Sequence, residues 1–402
     1  MIKKVILDKS ERIQRVPPFS LFEIERTKKR LEKKEVEIID LGVFDPYVQN
    51  TSECEFLSSL PWGNRGKENQ TEEERKLKKD LCLWFEKKYQ VKLIPDKEIS
   101  LIPNKKVAYL SMAMSFLNRG DLVIVPEPSN PLYRRVCSLA EAEIVSVPLL
   151  ERNDYLPNLK TLSDKVLKKA KLLFLNYPHN PTTAVADYNF FKKAIEICSE
   201  NNILLVHDFS FCHINYDDFI PLSILQIEGA KKVCLEFHSL STACLSPFFE
   251  LGFFAGSKDV IMGLESDRSI FDFVDDNLLF KVASYLLENH FRIKSEQSQE
   301  FSERKKLLME RLLNLGWRVK SPKATPFFWI QIPPHYSSLG FARMLLRKTG
   351  VAVIPGSDFG ESGEGYIRLA LNLPGDKLKE ATKRIERHSH LLQSSYRPKR
   401  RR

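Results

Sequence analysis

A chain of 402 residues with 43% hydrophobic and 10% aromatic content can bury a large core, and its length suggests two domains or more. The formal net charge of +10 overstates the body, because Arg397, Lys399, Arg400, Arg401 and Arg402 place five positive charges at the very end. No apolar run of about 20 residues exists to span a bilayer, and residues 1–9 are too short and charged for a secretory signal, so a cytoplasmic protein is expected.

In chain order, Thr71 followed by Glu74 reads as a capping box that opens a helix with an apolar stripe of Leu77, Leu81, Trp84 and Phe85. From about residue 100 to 260, short runs rich in Val, Ile, Leu and Phe alternate with helical patterns. Candidate strands are Leu122–Val125, Ile144–Val147, Leu172–Asn176, Ile203–His207, Lys232–Phe237 and Leu251–Ala255. Between them, Asn189–Asn202 sets Phe190, Phe191, Ala194, Ile197 and Cys198 against Lys192, Lys193, Glu196 and Glu200, the pattern of a covering helix. This alternation predicts an α/β fold with a mostly parallel sheet.

From about residue 290 the pattern changes. A charged amphipathic helix over Ser302–Leu315 stops at Gly316, then come an extended Phe327–Ile332, a short helix, extended Val351–Ile354 and Tyr366–Asn372, and a last helix from Leu378. These predict a second, smaller α/β unit.

The seven cysteines (54, 82, 137, 198, 212, 234 and 244) are scattered, without a Cys-x-x-Cys pair. Free thiols of a reducing compartment are expected, and a zinc ribbon or disulfide framework is excluded. His207-Asp208 with Cys212 and His213 collects metal-ligand types, but the spacing matches no established pattern, so no metal is expected. Tyr396–Arg402 reads as a solvated, disordered basic end. Nucleic-acid binding through it is the weaker alternative, since no aromatic residues are interleaved.

An ordered series of motifs runs through nearly the whole chain. It comprises Ser10-Glu11-Arg12-Ile13, Pro17-Pro18, Ile39 to Pro46 (IDLGVFDP), Asn118-Arg119-Gly120-Asp121 and Pro131-Leu132-Tyr133-Arg134-Arg135. It continues with Asn176 to Thr182 (NYPHNPT), Val206-His207-Asp208, His238-Ser239-Leu240-Ser241, Pro355-Gly356-Ser357 and Gly363 to Arg368 (GEGYIR). The set resembles the class I/II aminotransferases, fold-type-I pyridoxal-phosphate enzymes, and within them the LL-diaminopimelate aminotransferase group. The resemblance implies a large domain with a mostly parallel seven-stranded sheet over residues 46–290. It implies a small α/β domain from both chain ends, 1–45 and 291–395, leaving 396–402 as the tail. A homodimer with shared active sites is also implied.

The resemblance assigns Asp208 to the cofactor's pyridine nitrogen, Asn180 to its phenolic oxygen, and Arg368 to a substrate carboxylate. Asn104, Lys105 and Ser239 fall at the phosphate. The same positions admit plainer readings: Asp208 and Asn180 as loop caps, and Arg368 as the partner of a local acid. Four positions depart from the family. Thr242 stands where the Schiff-base lysine would be, Glu250 where an arginine would hold the phosphate, Asn130 where an aromatic would stack on the ring, and Phe211 where a tyrosine would be. Pro103 further replaces a donor in the phosphate turn, and no tyrosine stands in Lys67–Thr71, where the family's partner subunit contributes one. Threonine forms no imine and is a poor base, which forfeits a factor of about 10²–10⁴ in proton transfer besides the covalent link. The expectation is therefore a pseudoenzyme without cofactor, binding a small carboxylate or a protein partner. The alternatives are an enzyme using free pyridoxamine phosphate and a pyridoxal-phosphate aminotransferase for an amino acid/2-oxo acid pair.

Overall fold

The computed structural model describes residues 7–17, 21–44, 70–244, 250–271, 277–288 and 290–388. Lys67, the tail from Tyr396 and the side chain of Thr71 lie outside the described part. The first strands in chain order are β1 (Ile39–Asp40), β2 (Ile99–Ile102), β3 (Leu122–Glu127), β4 (Glu143–Pro148), β5 (Ala170–Asn176) and β6 (Leu204–Asp208). They are followed by β7 (Cys234–Ser239), β8 (Gly252–Gly256), β9 (Phe327–Gln331), β10 (Val351–Ala352), β11 (Ile354–Pro355) and β12 (Tyr366–Ala370).

Seven of them form one sheet in the order β2-β8-β7-β6-β5-β3-β4, parallel throughout except for β8, which runs antiparallel to both neighbours. The expected seven-stranded, mostly parallel α/β sheet is present. Successive side chains of a strand point to opposite faces. Accordingly Leu173 and Leu175 enter one core, while Leu172 and Phe174 enter another on the far side of the sheet. Because both faces are covered, the strands are near-continuous apolar runs rather than alternating ones.

The first face is covered by α1 (Gln70–Tyr89), whose Leu77, Leu81, Trp84 and Phe85 are buried as the stripe predicts. The opposite face carries α2 (Lys105–Phe116) and α3 (Pro131–Leu139), through Tyr109, Met112, Tyr133 and Val136. On the first face again lies α4 (Tyr188–Glu200), by Phe191, Ala194, Ile195 and Cys198.

A third core gathers β9 and β12 with α5 (His290–Asn314), α6 (Ser338–Thr349) and α7 (Gly375–Glu386). Two readings change here. The helix predicted from residue 302 begins at His290; the polar run over residues 294–300 gives no apolar stripe by which its start could be read. The single extended segment Val351–Ile354 is two strands in different sheets: β10 pairs parallel with β1, and β11 pairs antiparallel with β12. Among the described residues no helix is long and apolar enough to cross a membrane.

Candidate functional site

Ligands of open α/β sheets bind beyond the carboxyl ends of the parallel strands. At that rim stand Asn176 closing β5, Asp208 closing β6 and Ser239 closing β7. Since β2 and β7 both run against β8, β2 is parallel to β7, and the start of α2 joins the same rim.

Asp208 is 1% exposed and surrounded by donors. Lys105 Nζ lies 2.9 Å from its Oδ2, the Tyr133 hydroxyl donates to the same oxygen, and Ser210 donates to Oδ1 from its backbone N–H (3.0 Å) and its hydroxyl (2.5 Å). Burial alone would raise the carboxyl's pKa, but the Lys105 charge and these hydrogen bonds outweigh it and hold Asp208 below the usual aspartate range. Lys105 was expected at the phosphate. Its ammonium instead sits on the carboxylate that the resemblance reserves for the pyridine nitrogen, 5.3 Å from the Phe211 ring centroid. A long flexible amine one helical position past Asn104 reaches the nearest buried anion, and that anion is Asp208.

Asn104 is the N-cap of α2: its Oδ1 accepts from the N–H groups of Lys106 (3.0 Å) and Val107 (3.1 Å). Asn130 caps α3 by accepting from the Leu132 N–H at 3.1 Å. Ser239 turns back on its own segment. Its Oγ accepts from the Thr242 N–H at 3.2 Å and lies 3.0 Å from the Thr242 hydroxyl. Phe211 is buried, edge-on to Phe327 (5.1 Å) and Phe44 (6.0 Å), so a ring without a hydroxyl serves the third core.

Glu250 is exposed. At an effective dielectric of about 20 its charge would oppose a phosphate 4 Å away by about 4 kcal/mol. At a solvated position the same pair at 4 Å is worth only about 1 kcal/mol, so Glu250 is the weakest of the four departures.

Arg368 comes from β12 and is buried. One guanidinium nitrogen donates to Asn180 Oδ1 at 2.7 Å and another to the Gly42 carbonyl at 2.8 Å, while its plane lies 4.1 Å from the Phe327 ring centroid. Burial pulls its pKa down to about 9 despite the fields of Asp358 and Asp40, and among the described residues no carboxylate forms an ion pair with it. The reading of Arg368 as partner to a local acid gives way to one in which it binds a carbonyl and an amide, with Nε left without a hydrogen-bond partner among the described residues. Asn180 is itself anchored by its N–H on Asn176 Oδ1 at 2.9 Å.

Two contributors were missed from sequence. Tyr133 lay inside a motif of the resemblance without a role, and Ser210 carried only its nearness to Asp208 as a signal. Tyr133 acts on Asp208 from 75 residues away, a contact that sequence spacing does not encode.

The class I and II aminotransferase model matches residues 65–385. LL-diaminopimelate aminotransferase of Dehalococcoides mccartyi is 34% identical over 378 residues, covering 94% of this chain and 97% of that protein. The same-named protein of Halothermothrix orenii is 32% identical over 386 residues, covering 94% and 98%. The solved structure of apo-BacF from Bacillus subtilis superposes with a TM-score of 0.88 at 30% identity, covering 97% of this chain and all of that one. With matched sequence over nearly its full length and the same sheet beneath the rim, the chain belongs to the class I and II aminotransferases.

Proposed function

We propose that this chain is an aminotransferase-family protein that does not transaminate and keeps the scaffold for binding, with a small carboxylate at Arg368 or a protein partner as its ligand. The family depends on pyridoxal phosphate, and the rim residues fit that group poorly. Asp208 already carries an internal cation, Asn104 spends its carbonyl on the N–H groups at the helix start where a phosphate would lie, and Thr242 has no amine. The Lys105–Asp208 ion pair is the observation that carries the reading, because a cofactor ring could reach Asp208 only by displacing it.

The test is the absorbance of the purified protein with and without added pyridoxal phosphate, followed by borohydride reduction and peptide mapping. No aldimine band and no reduced adduct are expected. An adduct on any lysine, Lys105 first among them, would overturn the proposal.

A second reading is favoured by the relatives' names and by the juxtaposition of Asp208, Asn180 and Arg368: a pyridoxal-phosphate aminotransferase, or an enzyme that uses free pyridoxamine phosphate. Saturable binding of pyridoxamine phosphate with 2-oxo acid-dependent turnover would establish it.

A further inference from the structure

Beside the rim stands a group of buried donors with no part in the reading above. We propose that Cys212, His213 and His238 form a thiolate–bis-imidazole site for a zinc-class divalent cation. All three are buried, and one ligand atom from each lies within 4.8 Å of the others. Cys212 and His213 sit in the loop after β6, and His238 sits on the adjacent β7, so the sheet rather than local spacing brings them together.

The arrangement around His238 points to a ligand. Its Nε2 lies 2.8 Å from Glu236 Oε1, while Nδ1 is buried with no hydrogen-bond partner among the described residues. Glu236 is fixed by His207 Nδ1 at 2.9 Å, the Ser223 hydroxyl at 2.7 Å and the Ile224 N–H at 2.8 Å. With Oε1 accepting from the Ser223 hydroxyl and Oε2 from the Ile224 N–H, the Glu236 carboxyl is held in place as an acceptor for the imidazoles. Glu236 therefore takes the proton on Nε2 and leaves the lone pair on Nδ1, the carboxylate–histidine arrangement by which proteins set a ligand's tautomer. The ring's tilt is fixed by stacking on Phe253 at 4.7 Å.

One sulfur and two imidazole nitrogens suit zinc and exclude magnesium or calcium, which take oxygen ligands. Zn–S near 2.3 Å and Zn–N near 2.0–2.1 Å require donors about 3.5 Å apart, so the site contracts by roughly 1 Å on binding. The thiol proton is released as the metal–sulfur bond forms. Thiolate and Glu236 together offset the two positive charges. Lys88 Nζ, 3.1 Å from His213 Nδ1, opposes the incoming cation and swings away over Trp84, whose ring centroid is already 4.8 Å from it.

The experiment titrates the full-length, metal-free chain with Zn²⁺ and Co²⁺, reading stoichiometry by dialysis and elemental analysis. One equivalent per chain is expected, with a thiolate-to-cobalt charge-transfer band in the near ultraviolet that zinc abolishes. Cys212→Ser and His213→Gln should each lose affinity on the order of 100-fold or more, the former also losing the band. Metal-free melting of each variant shows whether it folds, and Cys212→Ala replaces any that does not. Substoichiometric uptake by the wild type, or a band that survives in Cys212→Ser or its Cys212→Ala replacement, would overturn the proposal.

Discussion

Removing Lys105 would leave a 1%-exposed carboxylate at the sheet rim with no other cation paired with it among the described residues. Breaking one side of a buried pair costs about 3–5 kcal/mol, and the low end applies because the Lys105 side chain keeps 22% exposure. Lys105→Met is therefore expected to lower stability by about 3 kcal/mol at pH 7.5, measured by urea unfolding. The pH dependence separates this from lost packing. In the wild type Asp208 titrates below its ordinary 3.8, so its contribution is present above that pH and lost as pH falls through the folded value. In the variant the dominant lowering influence is gone and burial raises the carboxyl, so the gap between the two proteins should narrow on acidification. An unchanged gap between pH 7.5 and 5 would show that Asp208 stays charged in the variant over that range. Thr242→Lys tests the neighbouring position. It restores an amine but neither frees Asp208 nor opens the helix start, so no aldimine absorbance is expected on adding pyridoxal phosphate, and a stable band would contradict that.

At the level of elements, α2 begins on Asn104, and Asn104→Ala should cost about 1 kcal/mol whereas Asn104→Gly should cost only a few tenths, by urea unfolding. If the cap is what bars an anion, Asn104→Gly should also bind inorganic phosphate more tightly than the wild type in isothermal titration. The strands of the main sheet were legible because double-sided burial gives continuous apolar runs between turns. β2 was not, since the four-residue run Ile99-Ser100-Leu101-Ile102 ends at Pro103 and gives no period to read. The split of Val351–Ile354 was equally hidden, because β10 and β11 differ only in which distant strand each pairs with. Site positions such as Asp208 and Thr242 came from motif order. The Lys105 contact did not, as a flexible side chain's destination is set by tertiary charge.

Over the whole molecule, several buried groups set a common response to acid. Burial lowers His179 to about 3 and also lowers His238, against the pull of Glu236, while Glu236 stays ionised down to about 2. All have folded values below their unfolded ones, so each contributes stability that is present above the unfolded pKa and lost as pH falls. Loss should start below about pH 6.5 through the histidines and steepen below 4.5 through Glu236. For His179 alone, protonation of the unfolded chain amounts to roughly 2 kcal/mol between pH 7.5 and 5. Thermal scans over this range should show a falling midpoint, and His179→Gln, if it folds, should flatten the dependence.

Arg368 joins three stretches that are far apart in sequence: β12, the turn at Asn180 and the chain just after β1 at Gly42. A carboxylate that grips both terminal nitrogens of its guanidinium competes with the Gly42 carbonyl and the Asn180 amide for them. Occupancy is thereby coupled to how firmly the amino-terminal strand is fastened, and a saturating 2-oxo acid should quicken amide exchange around residues 41–44 even though it never touches them.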